Sequence, residues 1–415
     1  MKSRTRSVVR DPILIWLAIA ATLVGLLFIF DAGYARSLRD GRGIIPREFI
    51  VQMVVMPLAM GCGWFAAKVK PRQWQRWSKW LWIGSVISLL LVKAPIVGVA
   101  MNGAHRWIKF PFFNLQPAEF VKLTCILYLG GVLANRKAWP TKIAPRKNFG
   151  HWMDTIGQEK FKRALPLIYV TFAILLIEIE PDLGTAAVVG ATAAVMLFVG
   201  GVSWKSLAAC AVIGGLGVSI LVVKQPYRVQ RFTDHSARWS SENSDDSTYQ
   251  TVQSEAAMSQ GGISGVGLGN GRAKHVEPAT TTDFVMATIA EETGLIGSLI
   301  ILAIMSALSL RLLFLARDVK DKFGKLVLTG VAAWFGVQAC VNMMMANAFI
   351  PPIGIPMPFI SSGGSSLIAL WLAVGICQSM LIPAPVKGET LAVSDHRRRY
   401  RRAHLSGSRS RASVR

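Results

Sequence analysis

Residues 13–31 read ILIWLAIAATLVGLLFIFD, an apolar run whose first charge is Asp31. About 20 residues at a rise of 1.5 Å each cross the hydrocarbon core of a bilayer, so this run is long enough to span one. It starts too deep in the chain, and lacks the small-residue cleavage site, to be a removable signal peptide. Runs of the same kind recur near 49–67, 80–100, 117–134, 164–178, 184–200, 205–224, 284–316, 324–346 and 364–384. The pattern predicts an all-α integral membrane protein with about ten transmembrane helices, the fifth of them short.

Composition narrows the class from the other side. Of 415 residues, 52% are hydrophobic and 17% charged, yet the formal net charge is +23, from 46 Lys+Arg against 23 Asp+Glu. Soluble domains carry roughly a quarter charged residues, and disorder requires low hydrophobicity. A nucleic-acid binder with an unusual core and a polytopic membrane protein with charged loops remain, and the placement of the charges separates them. With the N-terminus inside, segments 1–12, 67–80, 135–163, 201–205, 317–325 and 386–415 face the cytoplasm. They hold a roughly threefold excess of Lys and Arg over the outer segments 32–48, 101–116, 179–183, 225–283 and 347–363. Both termini are therefore expected in the cytoplasm. The expected organisation is a basic tail (1–12), a ten-helix membrane domain (13–385) with one large extracytoplasmic loop (225–283), and a basic tail (386–415).

The C-terminal run Arg397-Arg398-Arg399-Tyr400-Arg401-Arg402 suits anionic lipid headgroups or a docking partner. No nucleic-acid-binding motif accompanies it, so no nucleic acid is expected as a partner. Cys62, Cys125, Cys210, Cys340 and Cys377 all fall in predicted spans without metal-ligand spacing, which predicts free, buried thiols. All six histidines lie outside the spans, with no HExxH and no Walker-type or dinucleotide glycine motif.

Four predicted outer segments carry dense polar and glycine content beside the membrane. The first is Asn102-Gly103-Ala104-His105-Arg106-Trp107-Ile108-Lys109, running into Gln116-Pro117-Ala118-Glu119-Phe120-Val121-Lys122. Pro117 fits the first turn of a helix, and Glu119 suits its positive end. Glu119 and Lys122 are i,i+3 neighbours that form a salt-bridged anchor, or else Arg106, Lys109 and Lys122 hold an anionic headgroup; the planar fork of Arg suits phosphate. The second is Glu178-Ile179-Glu180-Pro181-Asp182-Leu183-Gly184-Thr185. Three carboxylates at the membrane edge are costly unless hydrated or paired. Asp182 is either a helix cap or a partner for an arginine or a hard cation.

The third, 225–283, is too long for a mere connector. It contains Tyr227-Arg228-Val229-Gln230-Arg231-Phe232, a polar stretch over 240–248, and Gly261-Gly262-Ile263-Ser264-Gly265-Val266-Gly267-Leu268-Gly269-Asn270-Gly271. It ends in Thr281-Thr282-Asp283-Phe284, with Glu291-Glu292-Thr293-Gly294 in the span that follows. Asp283 is either the N-cap of the eighth span or a general base whose proton affinity is raised by burial. The fourth is Gly354-Ile355-Pro356-Met357-Pro358-Phe359-Ile360-Ser361-Ser362-Gly363-Gly364-Ser365-Ser366. Broken backbone at membrane depth is tolerated only inside protein or along a cavity, so this segment is a hinge or a hydrogen-bond donor to a phosphate or sugar. Ser361, Gly363, Gly364 and Ser365 are its candidate contacts.

Taken together, NGAHRWI…QPAEFVKL, EPDLGTA, YRVQRF, GVGLGNG…TTDF…EETGLIG and GIPMPFISSGGSS resemble the SEDS family (shape, elongation, division and sporulation). The pieces occur in family order from about 102 to 366. The resemblance implies an inverting peptidoglycan glycosyltransferase that polymerises lipid II at the outer face of the bacterial cytoplasmic (inner) membrane. It maps the essential aspartate onto Asp283. Arg106, Lys109, Lys122, Arg228 and Arg231 become candidates to neutralise pyrophosphate charge, and Gln116, Glu119 and Asp182 further substrate contacts. A divalent cation (Mg or Mn) is a possible cofactor with no ligand set assigned. The implied partners are a class B penicillin-binding transpeptidase and other divisome or elongasome membrane proteins. A lipid II flippase and a non-catalytic scaffold for the transpeptidase are the alternatives. Pro278-Ala279-Thr280-Thr281 and Ser362 depart from the family pattern, which usually has Pro-Glu-x-His and Tyr there. The GLGNG run and the basic tail are more similar to the division branch than to the elongation branch.

Overall fold

The computed structural model describes residues 10–41, 43–94, 98–101, 104–109, 114–135, 168–202, 204–223, 226–239, 246–276 and 280–382. Most of both basic tails, the segment 136–167 and the polar stretch 240–245 lie outside the described residues.

Helix α1 spans Pro12–Arg39, opening with Pro12 in its first turn and Asp11 as N-cap, whose side chain accepts from Leu14 N. Leu14, Ala18, Ala21, Gly25, Phe28 and Ala32 form its buried stripe. Its other face is just as apolar, with Trp16, Leu23 and Leu27 more than half exposed. A helix that is apolar all round, with one face unpacked, has hydrocarbon as its solvent.

The remaining helices are α2 (Arg47–Ala66), α3 (Pro71–Leu91), α4 (Pro117–Ala134), α5 (Ile168–Ile179), α6 (Leu183–Val199), α7 (Trp204–Val223), α8 (Pro226–Ser236), α9 (Asp246–Gly261), α10 (Ala273–Val276), α11 (Val285–Asp318), α12 (Lys322–Ala346) and α13 (Gly364–Met380). A helix lies at each of the ten predicted apolar segments. Five of them, α1, α2, α4, α11 and α12, are both long and apolar enough to cross a membrane, and α5, α6 and α13 are shorter apolar helices.

Three expectations are corrected. The third segment, expected at 80–100, is the helix Pro71–Leu91, and Gly98–Met101 is instead strand β1. Pro71 starts the helix early, and Pro95 disfavours helix at the residue before it. Strand β1 pairs antiparallel with β2 (Ala104–Lys109), which pairs with β3 (Asn114–Leu115), so the first polar block folds as a small sheet capping α4. The eighth segment is broken at Gly294, whose φ of 66° and ψ of −160° interrupt α11. That conformation is essentially glycine's alone. Of the cysteines, Cys125 and Cys377 are buried and free, but Cys340 is exposed and Cys62 partly so; both sit on membrane-spanning helices, where an outward thiol meets lipid rather than water. The side chain of Cys210 lies outside the described residues.

The large segment 225–283 is structured by α8, α9 and α10, with α9 packed on α11. Elsewhere α2 packs on α13 through glycines. A Cβ on Gly375 would lie 2.0 Å from Gly63 O, and one on Gly63 would lie 2.6 Å from Trp371 O. Such close approach replaces the hydrophobic effect as the adhesive between helices in lipid.

Candidate active site

The first turns of α4, α6 and α13 and the residues just before α11 converge on one cavity of about 400 Å³. Its walls include Arg106, Gln116, Glu119, Asp182, Asp283, Gly363 and Ser365. Helix N-termini carry partial positive charge and free N–H groups, so their convergence favours an anionic ligand.

Asp182 is the N-cap of α6. Its Oδ1 accepts from Thr185 N at 3.0 Å, and its Oδ2 accepts from Gln116 Nε2 at 3.0 Å. Of its expected roles Asp182 takes that of helix cap, and its second oxygen is held by Gln116, just before α4. Gln116 N in turn donates to Ser365 Oγ at 2.9 Å, and Ser365 Oγ donates to Asn114 O at 2.9 Å, joining α4, β3 and α13. Arg106, on β2, donates from Nε to Glu180 O at 2.6 Å and from Nη2 to Pro181 O. Its guanidinium therefore grips the carbonyls of the α5–α6 turn while lining the cavity. Glu180 is buried with neither carboxylate oxygen hydrogen-bonded. Burial and the nearby Asp182 push its carboxyl up to about 8, against the pull of Lys93 and Arg106.

Asp283 does not cap α11: the N-cap is Phe284, with no side-chain cap hydrogen bond. Its side chain lies at the cavity wall, just outside the helix. Desolvation and the charge of Asp182 raise its carboxyl to about 6, while Arg106 and Arg231 pull the other way. A carboxylate so tuned is ionised at neutral pH yet basic enough to accept a proton from a hydroxyl. Gly354, with φ of 71°, brings backbone beside it: a Cβ there would be 3.6 Å from Asp283 Oδ2.

The other candidates fall around this centre. Glu119 and Lys122 form a buried ion pair of 2.6 Å, and Lys122 also donates to Gln338 Oε1 at 2.9 Å. Glu119 reaches the cavity, its Oε2 without a hydrogen bond, while Lys122 stands behind it. Arg231, on α8, donates to Pro352 O at 2.9 Å. Ser361 is a structural link: it donates to Thr282 O at 2.5 Å and accepts from Met357 N at 2.8 Å. Gly364 begins α13 beside the cavity wall. Lys109 is exposed at the end of β2. Arg228 lies on α8, with its side chain outside the described residues.

The family model described as cell cycle protein (FtsW, RodA, SpoVE) matches residues 12–382. The chain belongs to this family. It is 31% identical over 380 residues to a probable peptidoglycan glycosyltransferase FtsW of Coxiella burnetii, covering 90% of this chain and 97% of the relative. It is 32% identical over 375 residues to the stage V sporulation protein E of Bacillus subtilis, covering 90% and 97%. A chain of a solved peptidoglycan synthase complex, described as coordinating polymerization and crosslinking, superposes with a TM-score of 0.71 at 25% identity, covering 90% and 97%. Family membership accounts for the order of the polar blocks, and the cavity accounts for the polarity of those that line it.

Trp107, Thr185, Thr282 and Ser366 also line the cavity; they lie inside the quoted blocks but were not singled out as contacts. Gln338 and Asn342 were missed altogether. Two carboxamides one turn apart in an otherwise apolar helix are the signal that marks them.

Proposed function

We propose that this chain is an inverting peptidoglycan glycosyltransferase that polymerises lipid II into glycan strands. The observation that carries this is Asp283, a carboxylate raised to about 6 at the wall of a cavity where several helix N-termini meet. The naming of the FtsW relative and the kinship to a synthase complex support it.

In this reading Asp283 takes the proton from the 4-hydroxyl of the acceptor GlcNAc. The freed oxygen attacks C1 of the donor MurNAc, the C1–O bond breaks with inversion, and undecaprenyl pyrophosphate departs. Charge growing on the pyrophosphate is met by Arg106 and by the positive ends of α4, α6 and α13, with Arg228, Arg231, Lys109 and Lys122 as the other candidate cations. Gln116, Glu119, Asp182, Gly363 and Ser365 shape the remaining walls, with Ser361 and Gly364 supporting the segment that carries Gly363.

Among the described residues no three His, Cys, Asp or Glu side chains converge on one point. A divalent cation (Mg or Mn) stays a candidate cofactor with no ligand set assigned to it.

The ten-span topology, with both termini cytoplasmic and the cavity opening to the exterior of the cytoplasmic membrane, is part of this proposal and rests on the Lys and Arg asymmetry. So is septal synthesis in preference to elongation, resting on the GLGNG run and the basic tail. A class B penicillin-binding transpeptidase is the proposed partner. The test is polymerisation of purified lipid II by the full chain in nanodiscs, with and without that partner. Wild type should yield glycan chains and Asp283→Ala none, while still unfolding in one cooperative transition; chains from the variant would sink the assignment.

A further inference from the structure

Helix α12 carries a polar pair inside an apolar wall. Asn342 is fully buried, and its Nδ2 donates twice, to Asp283 O at 2.8 Å and to Ile355 O at 2.7 Å. One turn earlier Gln338, also fully buried, donates to Pro356 O at 2.8 Å. Its Oε1 accepts from Trp334 Nε1 at 2.7 Å and from Lys122 Nζ. The two amides thus hold the irregular segment around Ile355 and Pro356 against α12, and Asn342 alone reaches the residue that bears the cavity carboxylate.

The geometry explains why a carboxamide is needed. Residues 351–363 have no regular secondary structure apart from a turn near 358–360, so their carbonyls lack ladder partners. A buried unpaired carbonyl costs roughly 1–3 kcal/mol. One amide nitrogen with two hydrogens satisfies two such carbonyls at once and sets the distance between the chains that bear them. The cost is visible on the same side chain: Asn342 Oδ1 is buried without a hydrogen-bond partner. An amide kept with one end unsatisfied is better explained by what its other end positions than by stability.

We infer that Asn342 is a positioning residue for glycosyl transfer: its amide pins the Asp283 main chain to the Ile355 segment, aiming the carboxylate into the cavity beside Gly354. This deepens the reading of Asp283 as the base and rests on it. Asn342 touches no substrate in this arrangement. It acts through the register of two strands of backbone, and misplacement by about 1 Å costs on the order of 100-fold in rate.

Two variants test this in the full chain in nanodiscs. Asn342→Leu removes both donors at similar volume. Asn342→Asp is isosteric; with a proton it donates once, and without one it repels both carbonyls. The groups facing Asp283 are Asp182 on the α5–α6 turn, Arg106 on β2 and Arg231 on α8; none is altered. Expected for Asn342→Leu is a kcat lower by about 10- to 100-fold with KM changed by less than about threefold. Asn342→Asp should keep part of its rate at low pH and lose it as pH rises, a descending limb absent from wild type. If Asn342→Leu does not fold, the pH profile of Asn342→Asp decides. A wild-type kcat in Asn342→Leu, or a profile for Asn342→Asp parallel to wild type, overturns the inference. Inactivity of wild type, or full activity of Asp283→Ala, would instead overturn the reading of the reaction itself.

Discussion

Asp182 and Asp283, about a hundred residues apart in sequence, face the same cavity, and the charge of the first raises the proton affinity of the second. Asp182 is itself held by Gln116 Nε2 and Thr185 N, which fixes its position, and burial raises its own proton affinity too, so the two carboxyls titrate as neighbours. Asn can cap a helix as well as Asp. Asp182→Asn should therefore preserve α6 while removing the charge. The acid limb of the polymerisation profile, expected near the Asp283 value of about 6, should move to lower pH. A limb that stays put would show that the two carboxylates do not communicate.

Wild-type polymerisation should fall as pH drops through about 6, because Asp283 must be ionised to accept a proton. The same shift carries a stability consequence. An aspartate whose folded-state value lies above its unfolded value favours folding relative to neutral pH only when both states are protonated. Stability is lost as pH rises from about 3.8 to about 6 and then levels off. Asp283→Asn removes this penalty. Full conversion of the shift gives about 3 kcal/mol, and partial opening to the cavity reduces it to about 1–2 kcal/mol. Thermal unfolding in detergent should therefore show the variant more stable than wild type at pH 7.5 and equal to it near pH 4. A variant no more stable at pH 7.5 would contradict the buried-carboxylate account.

The glycine-rich run is held by carboxylates. Glu292 accepts from Gly269 N and Gly271 N at 3.1 Å each, and Glu291 accepts from Arg272 N at 2.7 Å and Ala273 N at 3.0 Å. Lys274 closes the arrangement, 2.7 Å from Glu292 Oε1 and 2.9 Å from Asp31 Oδ1 on α1. Lys274→Met would leave two carboxylates facing each other with no cation between them. Breaking a buried pair in this way costs about 3–5 kcal/mol. The expected result is a large fall in unfolding temperature, partly recovered by adding Glu292→Gln. A loss below about 1 kcal/mol would mean that water reaches the site.

What was legible in the sequence follows from what a bilayer demands. A spanning helix needs a continuous apolar run, and a helix lies at each of the ten that were marked. The third was misplaced because Pro71-Arg72-Gln73-Trp74-Gln75-Arg76 is polar enough to look like a loop, whereas an amphipathic first turn is stable where chain meets headgroups. Asp182, Asp283 and Arg106 were legible as charges next to apolar runs. Asn342 was not, because its purpose depends on two carbonyls contributed by distant segments. The glycine run was visible, but its partners Glu291 and Glu292 lie about 20 residues on, inside a run that otherwise reads as membrane.

The break at Gly294 yields the last prediction. There α11 divides into a short first half, Val285 to Thr293, separated from Asp283 only by the cap residue Phe284, and a long apolar second half. The glycine-rich loop enters the gap: Leu295 N donates to Gly262 O at 2.9 Å, Ile296 N donates to Ile263 O at 3.2 Å, and Val266 N donates to Glu291 O at 2.9 Å. A Cβ on Gly294 would meet Gly265 N and Ile263 O at 2.4 Å. Gly294→Ala therefore combines a backbone conformation closed to alanine with a clash against a second chain segment. Each effect costs about 1–3 kcal/mol. The chain can relieve both by straightening α11, which would expel the loop and shift the half-helix next to Asp283. Gly294→Ala should accordingly lose polymerisation by more than its loss of stability explains, and the loop around 262–268 should gain amide hydrogen exchange. Unchanged exchange in that loop, with activity intact, would mean that the break is not what seats it.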